Sequence, residues 1–149
     1  MTNVNETVDY AEKQCKNRGS RLTDKRKLVL SGLLRSEKPL SAYELIEFCK
    51  VELGETLPAM TIYRVLDFLE REQLVHKLNL HNKYVACEHI TCDHSHSVSQ
   101  FLICCRCQKV EEVIISKSMV KELQENVESA GFFLENPQIE INCICEDCR

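Results

Sequence analysis

Apolar residues in the first half of the chain recur at helical spacing. Val8, Ala11 and Cys15 predict a helix over residues 5–17, with Arg18-Gly19 as its stop. Thr23 is an N-cap for a second helix whose apolar side is Leu28, Val29, Leu33 and Leu34. Ser41 and Glu44 form a capping-box pair, with Leu45, Ile46 and Cys49 following at helical spacing. Pro58 suits the first turn of a fourth helix, in which Ile62, Val65, Leu66 and Leu69 make an apolar stripe. On the opposite face fall Met60, Arg64, Asp67 and Arg71, with Thr61 and Tyr63 on the flanks. Residues 74–80 then read as a strand, His81-Asn82 as a turn and residues 83–87 as the returning strand. Short helices followed by a hairpin are the order of a winged helix-turn-helix, whose last helix enters the major groove of DNA. A helical bundle carrying a hairpin has the same pattern.

Residues 88–97, polar and rich in metal-ligand types, read as a linker. Beyond them, residues 98–103 and 110–115 predict strands, and residues 117–130 a helix buried through Met119, Val120, Leu123 and Val127 and stopped by Gly131. Residues 132–144 predict a further strand, interrupted near Asn136-Pro137. The division is then a domain of winged-helix pattern over residues 1–87, a linker over 88–97 and a second domain over 98–149. A domain of about 50 residues is too small to be held by an apolar core alone, so it needs a metal, a partner or both.

Charge sharpens this division. The net charge is −4, but residues 1–83 carry 14 Lys/Arg against 12 Asp/Glu, while residues 84–149 carry 5 against 11. Opposite balances suggest two modules with different partners, although a surplus of two cations is weak evidence for phosphate binding. No apolar run is long enough to span a membrane, and the first residues lack a signal peptide's basic patch and apolar stretch, so the expected location is cytoplasmic.

Ten cysteines are the strongest compositional feature, and eight of them lie at or beyond residue 87. In a reducing compartment such a cluster points to metal rather than disulfides. Cys104-Cys105-Arg106-Cys107 and Cys145-Glu146-Asp147-Cys148 each hold a CxxC pair. One tight turn places two thiolates on one ion, and two such turns complete the tetrahedral four-sulfur site of a structural zinc. Cys105 and Cys143 are then spectators, and Cys143 alternates with Ile139 and Ile141 as a buried strand position would.

A second pool of ligand types remains: His76, Cys87, His89, Cys92, His94, His96, Glu111 and Glu112. His76 shares a strand face with Leu74, Leu78 and Leu80, which alone suits a core histidine as well as a ligand. Cys87 closes the paired strand and is followed closely by Cys92, His94 and His96. A mixed nitrogen, sulfur and oxygen set favours zinc over iron(II) or manganese(II). Ligands drawn from the wing, the linker and the second domain would make such a site regulatory, because binding shifts an equilibrium between conformations by its differential affinity for them.

The order of Arg21-Leu22-Thr23 with Arg26, Ser41-Ala42-Tyr43-Glu44-Leu45, Thr61-Ile62-Tyr63-Arg64-Val65-Leu66, Leu74-Val75-His76-Lys77 and the two CxxC pairs resembles that of the ferric uptake regulator family. Ser-Ala-Tyr, Val-His-Lys and the segment ending at Cys87 are most similar to its zinc-uptake branch. The resemblance implies an α+β protein: a winged-helix domain and a small α/β dimerisation domain, with repression of metal-uptake genes when metal is bound. It implies a structural zinc on Cys104, Cys107, Cys145 and Cys148, and a regulatory zinc on His76, Cys87, His96 and Glu112, with His94 as the alternative to His96. It also implies DNA contacts from Arg21, Tyr43, Thr61, Tyr63 and Arg64, on an AT-rich palindromic operator bound by a homodimer. The chain departs from the family pattern at Gln108, where a glycine usually follows the first CxxC pair, and at Asn142, where a histidine is common. A sensor of iron, manganese or peroxide is the alternative in the same class, with Cys87 against it. A thiol oxidoreductase using one CxxC pair and a zinc-stabilised adaptor without DNA affinity are the others. No nucleophile sits in a recognisable catalytic motif, so no enzyme is expected.

Overall fold

The computed structural model of the protein describes residues 3–36, 38–88, 90, 98–135 and 138–149. They fall into two compact units, Met1–Asp93 and His94–Arg149. The first unit opens with α1 (Val4–Asn17), whose N-cap Asn3 accepts from the backbone N–H of Asn5. Thr23 caps α2 (Asp24–Arg35) by accepting from Arg26 N–H. Ser41 and Glu44 form the full reciprocal capping box of α3 (Ala42–Leu53), and Gly54 closes that helix with φ 68. Pro58 precedes α4 (Ala59–Arg71) as its N-cap residue, one position earlier than the sequence suggests. Its ring presets an extended entry, and it has no N–H to leave unpaired.

The antiparallel hairpin of β1 (Val75–Leu78) and β2 (Lys83–Ala86) follows, with His76 opposite Val85. Leu40, just before α3, exchanges both backbone hydrogen bonds with Tyr84, at 3.1 and 2.7 Å, and so fixes the hairpin to the helices. The core is a single cluster in which Val29, Leu30, Leu45, Cys49, Ile62, Leu66 and Leu69 are fully buried. Gly32 lets α2 and α3 approach closely, since a Cβ there would stand 3.3 Å from Leu45 Cδ1. Burial raises the thiol pKa of both Cys15 and Cys49, as expected of inert packing residues.

One expectation about the hairpin needs correction. Leu74 and Leu78 are buried, but Leu80 is exposed in the turn, and Val75, on the other face of β1, is fully buried. Both faces of β1 carry core residues, so strict alternation does not sort this strand.

In the second unit, β3 (Ser99–Cys104) is central, paired antiparallel with β4 (Val110–Ile114) and parallel with β5 (Gln138–Cys143). Helix α5 (Lys117–Ser129), N-capped by Ser116, connects β4 to β5. The expected burial of Met119, Val120, Leu123 and Val127 does not occur: no residue of α5 is buried. A unit this small lacks the surface to cover an entire amphipathic helix. The strand expected over residues 132–144 begins only at Gln138, and Phe132 and Phe133 are exposed; Asn136 and Pro137 lie outside the described residues. Cys143 is half-buried and Ile141 exposed: among the described residues β5 pairs only with β3, and the face these two side chains share is not fully covered. Among the described residues, no helix is long and apolar enough to cross a membrane.

Candidate metal centre and nucleic-acid interface

Helix α4 separates its two faces cleanly. Ile62, Val65, Leu66, Phe68 and Leu69 are buried, whereas Met60, Tyr63, Arg64, Asp67 and Arg71 are exposed and Thr61 is half-buried. Tyr43, in the first turn of α3, is 70% exposed and Met60 67%. Arg21 is exposed in the loop before α2. The Arg26 guanidinium donates to the Arg21 carbonyl at 2.6 Å and lies 3.7 Å over the Phe68 ring of α4. The loop carrying Arg21 is therefore fastened to the helix carrying Arg64. Lys83 on β2 pairs with Glu44 of α3 at 3.1 Å, a second fastening, here between hairpin and helices. Backbone donation from Ser41 and the nearby Lys83 ammonium hold the Glu44 carboxyl below its ordinary pKa. The result is a helix presenting arginine, aromatic and apolar tips to solvent, with a hairpin secured beside it.

The two cysteine turns of the second unit converge. The sulfurs of Cys104, Cys107, Cys145 and Cys148 all lie within 4.8 Å of one another. Two features of the fold bring them together. Cys104 ends β3 opposite Cys143 in parallel register, and Cys105 N–H donates to the Cys143 carbonyl at 2.9 Å. The segment leaving β5 thus reaches the first turn immediately, and the 3-10 turn Glu146–Cys148 swings the last cysteine back. Cys107 Sγ and Cys145 Sγ are 3.7 Å apart. Sulfurs bound to one tetrahedral zinc at about 2.3 Å stand about 3.8 Å from each other, so the site fits that ion.

The electrostatics agree with a site built for a cation. Backbone N–H groups of Cys107 and Cys145 lower the Cys104 thiol to about 6, the latter donating to Cys104 Sγ at 3.4 Å. The neighbouring thiols of Cys145 and Cys107 push Cys148 up to about 12, because sulfurs this close cannot all carry charge without a cation. Gln108 closes the first turn with φ 65 and donates its N–H to the Cys104 carbonyl at 2.9 Å. This left-handed backbone explains why glycine is usual there. Cys105 is exposed and Cys143 half-buried, both outside the sulfur cluster.

Of the second ligand pool, the first unit brings together His76 and Cys87, whose ring nitrogen and sulfur lie within 4.8 Å of each other. Cys87 is buried, and its N–H donates to the Leu74 carbonyl at 2.9 Å, which folds the hairpin's exit against the start of β1. In the second unit, Glu112 is buried on β4 opposite Phe101 and accepts from Ser99 Oγ at 3.1 Å. Its neighbour Glu111 is exposed. His89, Cys92, His94 and His96 lie outside the described residues. Sequence reasoning missed Ser99, since a serine in a strand carries no signal of its own. It also missed Arg106 and the Arg26–Phe68 contact.

Residues 17–142 match the ferric uptake regulator family. The chain is 33% identical to the zinc uptake regulation protein of Escherichia coli (strain K12), over 99% of this chain and 84% of that protein. Its fold is similar to a solved structure of a zinc uptake regulator complexed with zinc and DNA, with a TM-score of 0.87 and 31% identity, covering 99% of this chain and 96% of the other. A structure described as holo XcZur gives a TM-score of 0.83 at 34% identity, covering 97% of each chain.

Proposed function

The chain belongs to the ferric uptake regulator family, and from that premise we propose that it is a zinc-responsive transcriptional repressor, not an enzyme, controlling zinc-uptake genes. The observation that carries the zinc reading is the buried thiol of Cys87 beside His76. A thiolate in the sensing set selects zinc over iron(II) and manganese(II), whose sites lean on imidazole and carboxylate. The likeness to zinc uptake regulators supports the same choice over a sensor of iron, manganese or peroxide.

Two zinc sites per chain follow. Cys104, Cys107, Cys145 and Cys148 would hold the structural ion, which supplies folding free energy to a unit with little core of its own. His76, Cys87, His96 (or His94) and Glu112 would form the regulatory set. Ser99 holds the Glu112 carboxylate in one orientation, and the Leu74 carbonyl holds the Cys87 backbone. The functional division is a DNA-binding domain over residues 1–87, a linker over 88–97 and a dimerisation domain over 98–149.

The DNA face is α4, with Thr61, Tyr63 and Arg64 directed at the major groove and Tyr43 and Arg21 flanking it. The operator is an AT-rich palindrome that matches the two-fold axis of a dimer. A second copy of this chain is the partner. It would cover the stripe of α5 and the exposed Phe132, Phe133 and Ile141, apolar surface that a monomer would leave in water. Such a repressor works in the cytoplasm, where its thiols stay reduced. The test is a mobility shift on operator DNA titrated with free zinc, iron(II) and manganese(II). Zinc alone should give tight, sequence-specific binding at low free-metal concentration; equal response to iron(II) would overturn the zinc reading.

A further inference from the structure

A four-thiolate site on a divalent ion carries two net negative charges. The turn that supplies its last two sulfurs adds two more, on Glu146 and Asp147. Something must offset this concentration of charge, and something must hold the two turns together, since they come from opposite ends of the second unit. Arg106 lies between Cys105 and Cys107 in the first turn. Its guanidinium Nη1 donates to the backbone carbonyl of Cys148, in the other turn, at 2.6 Å. The acceptor belongs to the cysteine whose 3-10 turn ends the fold. One side chain of the first turn thus clasps the last cysteine of the second.

We propose that Arg106 is a positioning residue of the metal centre, latching the Cys145–Cys148 turn onto the Cys104–Cys107 turn and opposing release of the ion. The inference rests on reading the sulfur quartet as a zinc site and goes beyond it by naming what keeps that site closed. Partners that orient metal ligands are worth about 10–100-fold in metal affinity. A latch of this kind acts on opening of the second turn, so its effect falls on the rate at which zinc leaves.

The test uses the full-length zinc-loaded protein with Arg106→Met and Arg106→Lys. Zinc transfer to a chromophoric chelator gives the release rate. Alkylation resolved by peptide identifies which cysteines open. The Met variant should remain folded and dimeric, keep its quartet zinc at purification, and release it 10–100-fold faster, with Cys145 and Cys148 alkylated ahead of Cys104 and Cys107. Lysine, which keeps a charge and a donor, should recover most of the slow release. If the Met variant fails to fold, Arg106→Gln replaces it: release faster than from the Lys variant supports the latch, and equal release overturns it. Wild-type release and alkylation rates in the Met variant would overturn the proposal. Quartet cysteines that are already free in the unmutated protein would overturn the zinc reading beneath it, a result distinguishable from the first.

Discussion

Arg26, at the start of α2, stacks its guanidinium 3.7 Å over the Phe68 ring of α4, while donating to the Arg21 carbonyl. One side chain therefore sets the distance between a loop and the helix proposed to read DNA. Arg26→Ala should cost about 1–3 kcal/mol of stability, the sum expected of a cation–π contact and one charge-assisted hydrogen bond. It should also weaken operator binding at every sequence alike, because position rather than base readout is lost. Urea unfolding and binding to operator and scrambled DNA measure the two effects; intact stability would show that the contact is incidental.

Gln108 sits at φ 65, where a side chain is strained, with its N–H engaged by Cys104. Gln108→Gly should relieve that strain and stabilise the second unit by up to about 1 kcal/mol, less the entropy that glycine adds to the unfolded chain. Thermal unfolding of the zinc-loaded protein checks this, and a lower melting temperature would contradict it.

Cys104→Ser or Cys148→Ser should remove the structural zinc and with it the folded second unit. The ion contributes on the order of 10 kcal/mol or more to folding in small zinc domains. Exposing the native protein to a strong chelator should reproduce the mutant. A dimer with an ordinary melting transition in either mutant would show that the quartet is not structural.

Arg64→Ala should weaken specific DNA binding. If Arg64 reads a base, the loss is about 1–3 kcal/mol and preference relaxes at one operator position. If it meets a phosphate, all sequences weaken alike and the salt dependence flattens by about one ion. Isotherms at two salt concentrations separate the cases, and unchanged isotherms would mean that α4 is not the recognition helix.

Much of this was legible in the chain because its signals are local. Capping of α2 and α3 follows from Thr23, Ser41 and Glu44, and the buried face of α4 from the spacing of Ile62, Val65, Leu66 and Leu69. The quartet was legible because CxxC spacing encodes a turn. What failed depends on surroundings that local spacing does not encode. Periodicity marked the stripe of α5 as apolar, but it cannot say whether this unit has the surface to bury it. Cys143 reads as a core strand residue, yet only sheet order reveals that β5 is an edge. Arg106 and Ser99 act through partners 42 and 13 residues away, and nothing in their own neighbourhoods announces it.

The central claim is that sensing and folding use different ligands, and one comparison tests it directly. Operator binding should be titrated with free zinc for the wild-type protein, Cys87→Ser and His76→Ala, with metal content and dimer state measured on the same samples. Both mutants should remain dimers and retain the quartet zinc, yet need far more free zinc to bind DNA, because one of four regulatory ligands is gone. Cys87→Ser binding operator with the wild-type dependence on free zinc would contradict the account and place the sensing site elsewhere.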